Sequence, residues 1–119
     1  MDMRPRVLIV DDHAAFRESA SALLEAEGFE VVGEAGDGEE AMTAVERLRP
    51  DVVLLDIQLR GADGFAVADR LASAGCVAAV VLISSREAAA YGPRSEPAGA
   101  RGFIAKRDLS GEALAALLL

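Results

Sequence analysis

The fold class that the sequence predicts is α/β: a five-stranded parallel sheet, doubly wound with helices on both faces. Short apolar runs rich in Val, Ile and Leu alternate with longer segments whose apolar residues recur every three or four positions. The runs are typical of strands buried on both faces, and the longer segments of amphipathic helices. With 119 residues, 52% of them hydrophobic, the chain is predicted to be one domain over residues 1–119.

Three strand and helix units are predicted in the first half of the chain. In helix one, Phe16, Ala20 and Leu24 form one apolar stripe, and Gly28 supplies the stop. Pro50 ends helix two, because proline cannot continue a helix. The predicted bounds are Val7–Val10, Glu30–Gly33 and Val52–Leu55 for the strands, Ala14–Glu27, Glu39–Arg49 and Gly64–Ala74 for the helices, and Ile57–Asp63 for the loop before helix three.

The second half of the chain is less regular. Gly92, Pro93 and Pro97 interrupt a helix-length segment that starts near Arg86, so we expect a short or distorted fourth helix there. A fifth strand and a final helix then complete five βα units. The predicted bounds are Ala78–Ile83 for strand four, Gly102–Ala105 for strand five and a start at Ser110 for the final helix.

Three acids follow predicted strands. Asp11 and Asp12 come directly after strand one, and Asp56 comes directly after strand three. Ligands of open α/β sheets bind at the carboxyl ends of the strands, so these acids should share one crevice. Two carboxylates about 4 Å apart repel by roughly 4 kcal/mol at an effective dielectric of 20, and a hard divalent cation relieves that repulsion. Oxygen ligands at such a site suit Mg²⁺. For His13, a helix start is favoured over a metal ligand.

Composition excludes several functions. The formal net charge of −8 argues against direct binding of nucleic acid or an anionic membrane, since both need a basic footprint. Cys76 is the only cysteine, so no internal disulfide and no multi-cysteine metal site can form. The N-terminal charges lead into an apolar run too short for a signal peptide, and no stretch reaches membrane-spanning length. A cytoplasmic location is therefore predicted.

Four stretches of the sequence carry a resemblance to a known family. They are Val7 to Asp12, Val53 to Leu59 with Asp63-Gly64, Val81 to Ser85, and Gly99 to Lys106. In this order and at these spacings, they resemble the receiver (CheY-like) domain of bacterial two-component response regulators. The resemblance runs from about residue 5 to residue 118, and it implies a flavodoxin-like sheet with the strand order 2-1-3-4-5.

The resemblance implies a role for each acid. Asp56 is similar to the phosphoacceptor, a carboxylate nucleophile that becomes an acyl phosphate. Asp12 is similar to the direct metal ligand, and Asp11 to a neighbour that acts largely through water. The backbone carbonyl of Gln58 is similar to the third protein ligand. Mg²⁺ is therefore the implied cofactor, held by Asp11, Asp12, Asp56 and Gln58.

Residues at the ends of strands four and five are implied to complete the site. Lys106 resembles the ammonium that contacts the phosphoryl oxygens. Ser84 resembles the hydroxyl that bonds a phosphoryl oxygen after phosphotransfer. Phe103 is either a core aromatic or the aromatic of a two-state switch that Ser84 biases.

The function that follows from this resemblance is that of a phosphoacceptor receiver in phosphorelay signal transduction. Its partners would be a sensor histidine kinase or phosphotransfer protein and an output domain or partner protein. A weak homodimer is compatible with the family, although the interrupted fourth helix disfavours the face that many receivers use for output. The chain would phosphorylate its own Asp56 and turn over no metabolite, so we predict no enzyme activity beyond that.

Two alternatives come from other classes. An Mg²⁺-dependent phosphohydrolase with an Asp nucleophile would need a second acid two residues later, where this chain has Gln58. A pseudo-receiver, acting only as an interaction module, is disfavoured by the intact set of Asp11, Asp12, Asp56, Ser84 and Lys106. Metal binding would distinguish the pseudo-receiver.

Overall fold

Five parallel strands form the central sheet of the structure, a computed structural model that describes residues 3–85 and 100–118. The spatial order is β2-β1-β3-β4-β5, which confirms the predicted fold class and strand order. The strands are β1 (Arg6–Val10), β2 (Glu30–Ala35), β3 (Val52–Asp56), β4 (Ala79–Ser84) and β5 (Ala100–Ala105).

Helices cover both faces of this sheet. They are α1 (Ala14–Ala26), α2 (Gly38–Leu48), α3 (Gly64–Ser73) and α4 (Gly111–Leu118), with a short 3₁₀ helix over Lys106–Asp108. Side chains along a strand point alternately to opposite faces. Val7 and Ile9 accordingly pack with apolar residues of α1 and α4, whereas Leu8 and Val10 pack with apolar residues of α2 and α3. This two-sided burial explains why β1 is a continuous apolar run.

Side-chain caps set the starts of two helices. The Asp37 carboxylate accepts a hydrogen bond of 2.8 Å from the backbone N–H of Glu40, so α2 begins at Gly38, one residue before the predicted start. Ser110 Oγ accepts a hydrogen bond of 2.9 Å from the N–H of Ala113. The predicted start at Ser110 is therefore the residue that caps α4.

Three strands end later than the sequence pattern predicts. β2 continues past Gly33 to Ala35, because backbone pairing with β1 persists to Val10 although Glu34 is polar. The ends of β3 and β4 each lie one residue later, so Asp56 and Ser84 are the last residues of their strands.

The loop predicted over residues 57–63 contains a small hairpin. Gln58–Leu59 pairs antiparallel with Ala62–Asp63. Gly61, at φ 70°, supplies the left-handed backbone that the tight turn requires. The segment between β3 and α3 is therefore held by backbone pairing, which the irregular sequence pattern did not predict.

The predicted fourth helix near Arg86, with its interruptions at Gly92, Pro93 and Pro97, lies outside the described residues. Strand β5, which follows it, begins at Ala100, two residues before the predicted start. Among the described helices, none combines the length and the apolar character needed to cross a membrane. The assignment of residues 1–119 to one domain stays a prediction.

Candidate functional site

Strand register brings two of the predicted acids side by side. Val10 of β1 pairs with Leu55 of β3 in the parallel ladder. Asp11 and Asp56, the residues that follow this pair, therefore emerge at neighbouring positions on the carboxyl edge of the sheet. Both side chains are buried. Asp12 is next to Asp11 and is partly exposed.

Lys106 completes a compact charged group at this edge. It follows β5, and its Nζ lies 2.6 Å from Asp11 Oδ2 and 3.3 Å from Asp56 Oδ2. The ring of Phe16, on α1, lies 4.3 Å from the same Nζ, which is close enough for a cation–π contact. The lysine side chain is 17% exposed, so little water screens its contacts with the two carboxylates.

Asp11 is held by several donors besides the lysine. Its Oδ1 accepts a hydrogen bond of 2.8 Å from the backbone N–H of His13. The imidazole of His13 also turns toward the acids, with Nδ1 3.0 Å from Asp11 Oδ1 and 3.1 Å from Asp12 Oδ1. His13 is the N-cap residue of α1, so the expected helix start is confirmed, and the structure in addition places its side chain against both carboxylates. Arg17 donates to the Asp11 carbonyl oxygen.

The pKa values of the two buried acids diverge because their partners differ. Burial raises the pKa of Asp56 to about 6; the negative charge of Asp11 also raises it, while a hydrogen bond from the Gln58 N–H and the charge of Lys106 lower it. Burial acts in the same direction on Asp11. The close Lys106 contact and the hydrogen bonds from His13 outweigh burial there and lower the pKa of Asp11.

The oxygen atoms at this edge fit a divalent cation. Oxygens of Asp11, Asp12 and Asp56, together with a ring nitrogen of His13, lie within 4.8 Å of one another. Asp12 Oδ1 is buried, and apart from the 3.1 Å approach of His13 Nδ1, which does not have hydrogen-bond geometry, it accepts no hydrogen bond. Three carboxylates and the Lys106 ammonium also leave a formal charge of −2 when all are ionised. A hard cation would satisfy the orphaned oxygen and the excess charge, so the residues present fit Mg²⁺.

The other predicted residues lie around this group. The backbone N–H of Gln58 donates a hydrogen bond of 3.1 Å to Asp56 Oδ1. Ser84 is fully buried, and it pairs with Ala105, the residue before Lys106. Phe103 is partly buried against the core on the side of α2 and α3. The roles of Ser84, Phe103 and the Gln58 carbonyl stay predictions.

The sequence did not predict that Gly64 and Phe16 support the site. A Cβ atom at Gly64 would lie 2.3 Å from the carbonyl oxygen of Asp56 and 2.5 Å from Ile57 Cα, so only glycine permits this approach of α3 to the end of β3. Phe16 was assigned only to the apolar stripe of helix one. Helical spacing predicted that stripe, but nothing local in the sequence pairs Phe16 with Lys106.

Comparison with known proteins settles the family. The family model described as the response regulator receiver domain matches residues 7–118. This chain belongs to the response regulator receiver family. Its place is therefore in two-component signal transduction, and the acidic crevice of this receiver domain fits a phosphoacceptor site.

Relatives of this receiver domain include regulators of transcription. A putative transcriptional regulator of Pseudomonas aeruginosa is 40% identical over 111 residues, which is 93% of this chain and 54% of the relative. The transcriptional regulatory protein PdtaR of Mycobacterium tuberculosis is 37% identical over 85% of this chain and 49% of its own length. The chain thus spans about half the length of these curated relatives.

Solved structures show the same fold. The receiver domain of the putative response regulator NarL from Mycobacterium tuberculosis is similar with a TM-score of 0.85 and 36% identity, covering 97% of this chain and 94% of the other. A LuxR-family response regulator from Aurantimonas also gives 0.85, at 28% identity, covering 97% of this chain and 86% of the other.

Proposed function

We propose that this receiver domain accepts a phosphoryl group on Asp56 from a phosphohistidine of a sensor kinase or phosphotransfer protein, or from a small phosphodonor. A carboxylate oxygen of Asp56 forms the new bond to phosphorus, and the bond between phosphorus and the donor's imidazole nitrogen breaks. The bonding electron pair leaves with the imidazole, which takes up a proton. The product on this chain is an acyl phosphate.

The observation that carries the proposal is the position of Lys106 Nζ, 2.6 Å from Asp11 and 3.3 Å from Asp56. An ammonium beside a buried carboxylate nucleophile offers a counter-charge to phosphoryl oxygens that arrive there. The Gln58 N–H bond to Asp56 Oδ1 fixes the carboxylate orientation and leaves Oδ2 facing the ammonium. The nucleophile is thus oriented before the donor binds.

Asp12, Asp11, Asp56 and the Gln58 carbonyl are proposed to hold Mg²⁺. When bound, the ion would supply positive charge that offsets the negative charge of the carboxylates and of the transferred phosphoryl group. The Asp12 oxygen that accepts no hydrogen bond is the support for a direct Asp12 contact. Asp11, already paired with Lys106, suits a contact through water.

We propose Ser84 and Phe103 as the switch that reports phosphorylation. Ser84 is buried at the end of β4 and pairs with Ala105, so a movement of its hydroxyl toward the phosphoryl group would pull on the strand that carries Phe103. The partial burial of Phe103 leaves it room to change its packing. β5 would then have two packing arrangements, one with Ser84 bonded to the phosphoryl group and one without, and phosphorylation would favour the first.

The wider biological role is also a proposal. Because the curated relatives extend well beyond the matched region and several are named transcriptional regulators, an output domain or partner protein is the expected recipient of the switch. A protein-glutamate methylesterase that is 41% identical over 89% of this chain shows that the output of a relative is not always a transcriptional regulator. We propose cytoplasmic action, self-phosphorylation without metabolite turnover, and no nucleic-acid or membrane contact by this chain itself.

The test is incubation with acetyl phosphate and Mg²⁺, read by intact mass. We expect the wild type to gain one phosphoryl group and Asp56→Asn to gain none. Asp51→Asn is the matched control, since Asp51 lies at the opposite, exposed end of β3 and should be labelled like the wild type. No labelling of the wild type, or equal labelling of Asp56→Asn, would contradict the mechanism.

A further inference from the structure

The imidazole of His13 lies against two of the carboxylates proposed to hold the metal. Its Nδ1 lies 3.0 Å from Asp11 Oδ1 and 3.1 Å from Asp12 Oδ1. The backbone of His13 is fixed by its own N–H, which donates to Asp11 Oδ1. His13 is the extended residue before α1, at φ −99° and ψ 105°. This backbone conformation lets the ring lie over the acids.

The separation of Nδ1 from Asp12 Oδ1 matches an edge of an octahedral coordination shell. Two neighbouring ligands that are each about 2.1 Å from an ion and form a right angle at it are about 3.0 Å apart. The 3.1 Å from Nδ1 to Asp12 Oδ1 agrees with that value, whereas the 3.0 Å to Asp11 Oδ1 is a hydrogen bond that Nδ1 would give up on binding an ion. The oxygens of Asp11, Asp12 and Asp56 and the His13 nitrogen also fall within 4.8 Å of one another, so they line one small crevice.

The chemistry of an imidazole nitrogen determines which ion benefits. Mg²⁺ prefers oxygen ligands and keeps several waters, so a nitrogen adds little to its binding. Imidazole suits first-row transition ions, for which affinity rises from Mn²⁺ through Co²⁺ to Ni²⁺. The crevice therefore offers a transition ion one favourable ligand, the imidazole nitrogen, that adds little for Mg²⁺.

We propose that His13 Nδ1 is a direct ligand that makes this crevice bind divalent first-row transition ions more tightly than Mg²⁺. The inference rests on the metal site of the proposed function and adds a ligand and a selectivity to it. The His13 side chain is 67% exposed, so it can adjust its position to an ion without repacking the core. The orphaned Asp12 Oδ1 beside it provides an adjacent oxygen ligand.

The test compares Ni²⁺ and Mg²⁺ binding by titration calorimetry in the wild type and in His13→Asn. The asparagine keeps a side-chain N–H near Asp11 but removes the nitrogen lone pair. We expect the Ni²⁺ affinity to fall at least about tenfold, since even the loss of an outer-shell partner costs 10- to 100-fold, and the ratio of Ni²⁺ to Mg²⁺ affinity to fall with it. Glu18→Gln, on the exposed face of α1, removes one nearby charge and should leave that ratio unchanged.

A spectroscopic measurement shows coordination directly. Mn²⁺ bound to the wild type should give nitrogen modulation in pulsed electron paramagnetic resonance, and His13→Asn should lose it. No nitrogen modulation in the wild type, or an equal loss of Ni²⁺ and Mg²⁺ affinity in His13→Asn, would overturn the proposal. If acetyl phosphate fails to label Asp56 while nitrogen modulation is present, the phosphoacceptor function fails and the metal ligand stands.

Discussion

Replacing the buried carboxylate of Asp56 by a neutral amide should stabilise the metal-free protein. Asp56 is 2% exposed, and burial raises its pKa from 3.8 to about 6. The difference between these values corresponds to about 3 kcal/mol of free energy that the ionised carboxylate costs the folded state. Asn has nearly the same shape, carries no charge and can still accept the hydrogen bond from the Gln58 N–H. We expect Asp56→Asn to be more stable by about 2–3 kcal/mol at neutral to mildly basic pH.

The gain should depend on pH in a defined direction. The folded pKa of Asp56 is raised, so the folded state binds its proton more tightly than the unfolded chain does. Below a pH of about 3.8 both states are protonated and the cost is absent; it grows between about 3.8 and 6 and is complete above that range. The advantage of Asp56→Asn should therefore be largest near pH 8 and fade as the pH approaches about 4.

Urea unfolding of both proteins in the presence of a chelator measures this difference. Asp51→Asn is the control, because Asp51 is exposed at the other end of the same strand and accepts a hydrogen bond from the Arg6 N–H. Adding Mg²⁺ should stabilise the wild type more than Asp56→Asn and narrow the gap. A loss of stability in Asp56→Asn at about pH 8, or a gain that persists undiminished at about pH 4, would refute the reasoning.

Three further changes test the supports of the site. Gly64→Ala should destabilise the protein by about 2 kcal/mol in urea unfolding and slow labelling by acetyl phosphate, because its Cβ would lie 2.3 Å from the β3 backbone. Gly36→Ala is the control: its Cβ would have an ordinary 3.4 Å contact, so neither stability nor labelling should change. Phe16→Leu should cost about 0.5–1 kcal/mol, measured the same way, since it removes the ring 4.3 Å from Lys106 Nζ; a neutral result would mean that the contact is not stabilising. Glu27→Ala should lower the free energy of unfolding by about 1 kcal/mol and speed hydrogen exchange at the start of α4, because the N–H of Gly111 donates to the Glu27 carboxylate at 2.6 Å. Unchanged exchange at Gly111 would contradict this capping role.

Sequence patterns predicted most of the fold because strands buried on both faces are short apolar runs, which are visible in the sequence. The five apolar runs became the five strands, and Pro50 ended a helix as expected. The errors occurred where pairing or capping overrides local composition. Glu34 is polar, yet its strand continues because β1 provides backbone partners. Asp37 looks like a loop residue, yet its carboxylate starts α2 one residue early.

The site was predictable to the extent that its residues follow strands. Asp11 and Lys106 come directly after strands and Asp56 is the last residue of β3, so parallel pairing alone brings them to one edge. Contacts between elements far apart in the chain were not predictable. Phe16 reaches Lys106 only because α1 packs on the same face as the end of β5, and the direction of the His13 ring depends on a side-chain rotamer.

Burial raises the free-energy cost of ionising Asp56, and it also strengthens the response of the crevice to added positive charge. In water a carboxylate gains little from a nearby cation, but at a buried position the same charge neutralisation is worth several kcal/mol. Lys106 lies closer to Asp11 than to Asp56, at 2.6 Å against 3.3 Å, so the charge of Asp56 is the less completely neutralised of the two. Any cation that neutralises this charge stabilises the folded state through linkage. Because Lys106 follows β5, Asp11 follows β1 and Asp56 ends β3, the ion pairs of this crevice join the carboxyl ends of three strands.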